Sequence, residues 1–171
     1  MELKQADLLF IKNGHSELDD GIAQSTGDFV HVAIVSDEGH VIHATPQTGV
    51  CEQRLQSFLD KNKCADVYRA DIKNRSLVVQ HARKHLGKPY NFSFRPNTDG
   101  LYCSQLVLES FRGVVVFNEQ PMCFGDQEKE ISDFWATYYH KLGESVPLNV
   151  LGTNPNDMIK NPRLHFIGTI K

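Results

Sequence analysis

The sequence predicts an α+β domain, with helices packed on an antiparallel sheet or half-barrel. Three observations carry this. Apolar and β-branched runs dominate the first 70 residues, segments with helical spacing follow between 74 and 142, and a strand pattern returns at Leu164-His165-Phe166-Ile167-Gly168. Strands first and helices later give segregated layers, whereas alternating units would build a parallel sheet. The chain has 171 residues, which predicts one domain over 1–171 with a core large enough to need no staples.

The elements follow in order. Asp7-Leu8-Leu9-Phe10-Ile11 is a short apolar run and reads as a buried strand. Residues 13–20 are polar and contain Gly14, which predicts a loop. Leu18 to Thr26 suits a short helix stopped by Gly27. Phe29 to Val35 is rich in β-branched residues, Ser36-Asp37-Glu38-Gly39 is a turn signal, and His40 to Thr45 is a second strand. Together they predict an antiparallel hairpin. Further strands are expected at Thr48–Glu52 and Ala65–Ala70. Helices are expected from Asn74 to Leu86 before Gly87 and Pro89, from Tyr102 to Arg112 before Gly113, and from Ile131 to Leu142.

Composition narrows the function. Hydrophobic residues make up 40% and charged residues 23%, ordinary globular usage, and the formal net charge is −3. Basic residues are scattered, which argues against a nucleic-acid partner. No stretch reaches the roughly 20 apolar residues of a membrane helix. The N-terminus lacks the apolar core of a signal peptide, so the chain reads as cytoplasmic, or as periplasmic or exported if a leader has been removed. The four cysteines, Cys51, Cys64, Cys103 and Cys123, form no CxxC pair, which excludes zinc knuckles and thioredoxin-type redox motifs.

Cys103 has the most informative surroundings. In Thr98-Asp99-Gly100-Leu101-Tyr102-Cys103-Ser104-Gln105-Leu106-Val107 a glycine-containing loop runs straight into an amphipathic helix. Cys103 therefore falls in the first turn, where unpaired N–H groups and the positive dipole end favour an anion. A thiolate with a lowered pKa is expected there, with backbone N–H groups placed to hold an oxyanion. The bland alternative is a small buried residue. Among eight histidines, His31 stands out because it interrupts an apolar strand, and an imidazole there needs a partner or a task. Closing the hairpin at Asp37–Gly39 brings His43 near it, able to fix its tautomer. His81 and His85 share a helix face but have no third ligand, so neither a metal nor another cofactor is expected.

These residues resemble a known family. Phe29-Val30-His31-Val32-Ala33-Ile34-Val35 and Val41-Ile42-His43-Ala44 are similar to the histidine-bearing hairpin of NlpC-type papain-like enzymes. Tyr102-Cys103-Ser104-Gln105-Leu106-Val107 resembles their nucleophile segment "y-C-S-e-L-V". Asp7-Leu8-Leu9-Phe10 resembles their opening "G-D-l-l-f", with Ala6 where glycine is usual. The order, histidines before cysteine, is that of the circularly permuted, YiiX/YebB-like branch.

The resemblance implies a papain-like fold and a cysteine peptidase or amidase that cleaves an amide or ester bond through a thioester. Cys103 maps onto the nucleophile, His31 onto the base and His43 onto the orienting third residue, where permuted members often carry glutamate. Tyr102, Tyr90 and Arg95 are the candidate substrate-binding residues. The implied partner is a small molecule or peptide, such as a cell-wall-derived peptide. The alternatives are a lipid amide or ester hydrolase or acyltransferase, and a non-catalytic ligand-binding member.

Overall fold

The structure is a computed structural model describing residues 1–12, 14 and 16–171. Its strands are β1 (Leu8–Lys12), β2 (Phe29–Asp37), β3 (His40–Thr45), β4 (Gly49–Arg54), β5 (Ala65–Ala70), β6 (Gln120–Pro121), β7 (Leu151–Gly152) and β8 (Leu164–Ile170). Its helices are α1 (Glu17–Thr26), α2 (Leu55–Asn62), α3 (Arg75–Arg83), α4 (Cys103–Ser110), α5 (Asp133–Leu142) and α6 (Pro155–Met158). One six-stranded sheet, in the order β4-β3-β2-β1-β5-β8, is antiparallel at every pairing; β6 and β7 form a separate ribbon. The α+β architecture is thus as the sequence predicts.

Alternation along β1 and β2 explains why both read as nearly continuous apolar runs. Leu8, Phe10, Val32 and Ile34 enter the larger core with α3 and α4, while Leu9, Ile11, Ala33 and Val35 enter a smaller one beneath α2. A strand covered on both faces has no polar face to show. The register pairs Ile11 with His31, so the His31 side chain belongs to the α2 face.

Buried polar groups fix this frame. Asp7 is fully buried and accepts from Arg69 at 2.7 and 2.8 Å and from Arg75 at 3.4 Å, joining β1, β5 and the start of α3. Asn156 in α6 clamps the first residue of β2. Its Oδ1 accepts from the Phe29 N–H at 3.0 Å and its Nδ2 donates to the Phe29 carbonyl at 2.8 Å. A side-chain amide there replaces a neighbouring strand and sets where β2 begins.

Several element boundaries differ from the sequence expectation. Residues 17–20 are helical because Ser16 caps α1 by accepting from the Asp19 N–H; Asn13 and His15 of the expected loop lie outside the described residues. Helix α3 ends at Arg83, and a chain of tighter turns carries the backbone to Gly87. Helix α2 was not expected, although Leu55, Phe58 and Leu59 repeat at helical spacing; β6, β7 and α6 are too short to show a period.

The loop before α4 leaves no room for a side chain at Gly100. A Cβ there would stand 2.6 Å from the Pro89 carbonyl oxygen and 2.9 Å from the Asn91 nitrogen. Gly100→Ala is therefore expected to cost about 2 kcal/mol, as overpacking against unyielding backbone does. Thermal melts should show a drop of several degrees; an unchanged midpoint would mean this approach is not tight.

Candidate active site

The site is built where β2 and β3 part. They pair at Ile34–Ile42 and Val35–Val41, but not nearer the start of β2. The Val35 N–H bonds to β1, so by alternation the Val32 N–H is turned toward β3, where no strand partner reaches it. The Cys103 thiol lies close enough to Val32 for its N–H to favour the anionic sulfur. The N–H groups of Ser104 and of Cys103 itself, at the first turn of α4, also favour the anionic sulfur.

Gln105 anchors this turn. Its Oε1 accepts from the Tyr102 N–H at 3.3 Å and from Asn91 Nδ2 at 3.1 Å. Ser104 Oγ donates to the Thr153 carbonyl at 3.0 Å, and the Thr153 N–H donates to the Tyr102 hydroxyl at 3.3 Å. Tyr90 and Tyr102 are both buried, and with Cys103 they line a hollow of about 40 Å³. Its remaining wall is largely apolar, with Ile22, Phe94, Phe124 and Trp135 among its residues.

His31 and His43 stand side by side, His31 Nε2 lying 2.9 Å from His43 Nδ1. Both rings rest against Phe58 of α2. Burial, the neighbouring His43 and the Lys61 charge hold the His31 pKa well below the usual imidazole value. His43 is pushed down to about 4, mainly by burial, with Gln53 opposing and Lys61 adding to the effect. His31 and His43 line a second hollow of about 130 Å³ with a larger polar share in its walls, and Val30 belongs to the walls of both hollows.

The structure thus gathers Cys103, Tyr90 and Tyr102 on one side of β2, and His31 with His43 on the other. Among the described residues no hydrogen bond joins Cys103 to His31; the backbone N–H that acts on the thiol is that of the next residue, Val32. Arg95 lies apart. Its guanidinium is engaged by Glu144 at 3.2 Å and by the Ser145 carbonyl at 2.6 Å, so it is not available for a substrate carboxylate. The expected lowering of the thiol pKa is also corrected. Burial pushes the Cys103 thiol up to about 11 and outweighs the three N–H groups. In the empty site both the thiol and His31 are therefore neutral at pH 7.

Lys61 and Asn156 escaped the sequence reading. Lys61 sits on the unexpected helix α2, and Asn156 acts on a strand 127 residues away. His81, considered for a metal, instead approaches the Ser110 carbonyl at 3.1 Å through Nδ1.

A buried neutral histidine ties stability to pH. The His43 pKa is near 4 folded and near 6.5 unfolded, so its contribution is complete above about 6.5 and is lost as pH falls toward 4. The loss amounts to about 3 kcal/mol. Urea denaturation between pH 7 and 4.5 should show a falling midpoint, with a gentler fall in His43→Asn; parallel curves for the two proteins would show that His43 titrates normally.

Comparison with known proteins places the fold in a family. A family model described as "Permuted papain-like amidase enzyme, YaeF/YiiX, C92 family" matches residues 2–168. The uncharacterized protein YiiX of Escherichia coli strain K12 is 28% identical over 100 residues, a match spanning 54% of this chain and 46% of that relative. The crystal structure of metalloprotein yiiX from Escherichia coli O157:H7 superposes with a TM-score of 0.84 at 21% identity, covering 99% of each chain, and so shares the fold. With 167 consecutive residues matched and the histidine hairpin preceding the cysteine helix, the chain belongs to the permuted papain-like amidase family.

Proposed function

We propose that the protein is a cysteine amidase in which Cys103 is the nucleophile, His31 the base and His43 the residue that orients it. The observation that carries this reading is the seating of Cys103 at the first turn of α4, in the gap between β2 and β3, one residue from His31.

The tautomers follow from the hydrogen bond. If His31 Nε2–H donates to His43 Nδ1, His31 Nδ1 keeps its lone pair for the thiol proton. His43 then carries its proton on Nε2, a buried nitrogen with no hydrogen-bond partner among the described residues. In the first step the sulfur bonds to the substrate carbonyl carbon as the thiol proton passes to His31. Backbone N–H groups at the start of α4 hold the oxyanion. Collapse breaks the carbon–nitrogen bond, and His31 returns the proton to the leaving amine. Water, deprotonated by the same imidazole, then attacks the thioester, releasing the acid and restoring the thiol.

The largely apolar hollow beside Cys103 favours an apolar acyl group on the carbonyl side. Tyr90 and Tyr102, which line that hollow, stay protonated, since burial raises both. The solved relative is called a metalloprotein. Among the described residues of this chain no three His, Cys, Asp or Glu side chains converge as metal ligands.

A second reading, a non-catalytic ligand-binding member, is favoured by the burial that keeps the thiol neutral. One experiment separates the two. Incubation with p-nitrophenyl octanoate should leave an octanoyl thioester on the Cys103 peptide, detected by mass spectrometry. Cys103→Ser and His31→Ala should each lose about 10³-fold or more in turnover, as nucleophile and base act as a unit. Ligand binding without acylation of Cys103 would select the second reading.

The pH profile is a separate check. Because the proton moves directly from thiol to imidazole, kcat/KM should be flat over roughly pH 7–9 and fall only in acid, as His31 takes up a proton. A rate that keeps climbing toward pH 10 would instead mean that a free thiolate must form first.

A further inference from the structure

The polar hollow beside His31 carries a cation with no partner. Lys61, on the exposed side of α2, contributes to its wall, and its charge acts on both His31 and His43. Among the described residues Lys61 makes no ion pair, and the nearest acid on its own helix, Asp60, accepts from Gln56 instead. Gln47, on the turn after β3, also lines the hollow without a hydrogen-bond partner among the described residues. Other polar neighbours are engaged. Thr45 bonds to Thr48, and Asn62 donates to the Phe58 carbonyl. Asp19 also belongs to this wall, but its charge acts on Cys103 and Tyr90, and its carboxylate accepts from Ser16.

We propose that Lys61 and Gln47 form a carboxylate subsite on the leaving-group side of the cleft, so that the substrate is an apolar acyl group in amide linkage to an amino acid. An ammonium and a carboxamide together offer five N–H donors, and a carboxylate is the organic anion that accepts such donors without adding bulk. The two hollows share Val30 in their walls, and Cys103 lines the apolar one. An N-acyl amino acid reaching past Val30 from one hollow to the other places its acyl chain on the apolar side, its amide beside the cysteine, and its carboxylate at α2. This assignment rests on the amidase reading for its orientation, but its binding test does not require turnover.

The test uses the full chain carrying Cys103→Ser, with binding measured by calorimetry. The ligands are N-octanoylglycine and its uncharged counterpart N-octanoylglycinamide. The acid should bind about tenfold more tightly, the worth of one well-placed charge contact in a partly exposed site. Adding Lys61→Met should erase the preference, and Lys61→Arg should keep most of it. Lys61 is exposed, so thermal melts should match across the three proteins. Equal affinity for the two ligands, a preference that survives Lys61→Met, or no binding of either ligand would overturn the subsite. Failure of p-nitrophenyl octanoate, which has no carboxylate, to acylate Cys103 would count against the amidase reading alone.

Discussion

The divergence of β2 from β3 is the constraint on which the site depends. A fully paired hairpin would give the Val32 N–H to a strand carbonyl and close the sheet over the position of the thiol. Because the pairing stops short of Val32, a backbone donor is freed inside the protein, and such a donor must find an acceptor. The Cys103 sulfur lies beside it, and the Val32 N–H favours the anionic form of that sulfur. The same opening is where the two faces of the sheet, otherwise sealed from each other by apolar side chains, come within one residue of contact. Asn156 holds the beginning of β2 in place from α6, so the gap is kept open by a hydrogen-bonded clamp.

Electrostatics in this gap are a contest between burial and dipoles. The first turn of α4 offers amide donors to an anionic sulfur, a contribution of up to about 2 kcal/mol in a partly buried geometry. Removing a thiolate from water costs more, and the thiol pKa rises to about 11. The imidazole opposite responds to the same burial in the opposite sense, because its charged form is the protonated one. The resting pair is therefore thiol and neutral imidazole. An acyl group bound beside the sulfur changes this balance by giving the electron pair a carbon to bond to as the proton leaves. In such a site the ion pair belongs to the reaction path and not to the resting protein.

The two hollows divide the chemistry. One is largely apolar and holds Cys103 with two tyrosines. The other is polar, contains the imidazole pair and carries opposite charges at Asp19 and Lys61. The proposed amidase would use this asymmetry, since the acid and amine halves of an amide differ in their wish for water. Arg95, by contrast, has been drawn into the scaffold. It ties the loop after Tyr90 to the segment after α5, next to the tyrosine hydroxyls of Tyr138 and Tyr139 that bond to the Phe92 and Ser93 carbonyls.

What the sequence determined by itself was local. Strand runs, the turn at Asp37–Gly39 and the glycine-led start of α4 are short-range patterns, and each is set by backbone sterics and the period of burial. The His31–His43 contact is close to what the hairpin implies, since its register continued sets His43 opposite Ala33 and makes His31 a diagonal neighbour on the same face. Tertiary structure decided the rest. Whether a thiol at a helix start is acidic depends on how much water the fold removes. Whether Arg95 is free depends on a glutamate 49 residues away, and where β2 begins depends on an asparagine 127 residues away. These are long-range pairings and burial, quantities that a chain acquires only when it closes on itself.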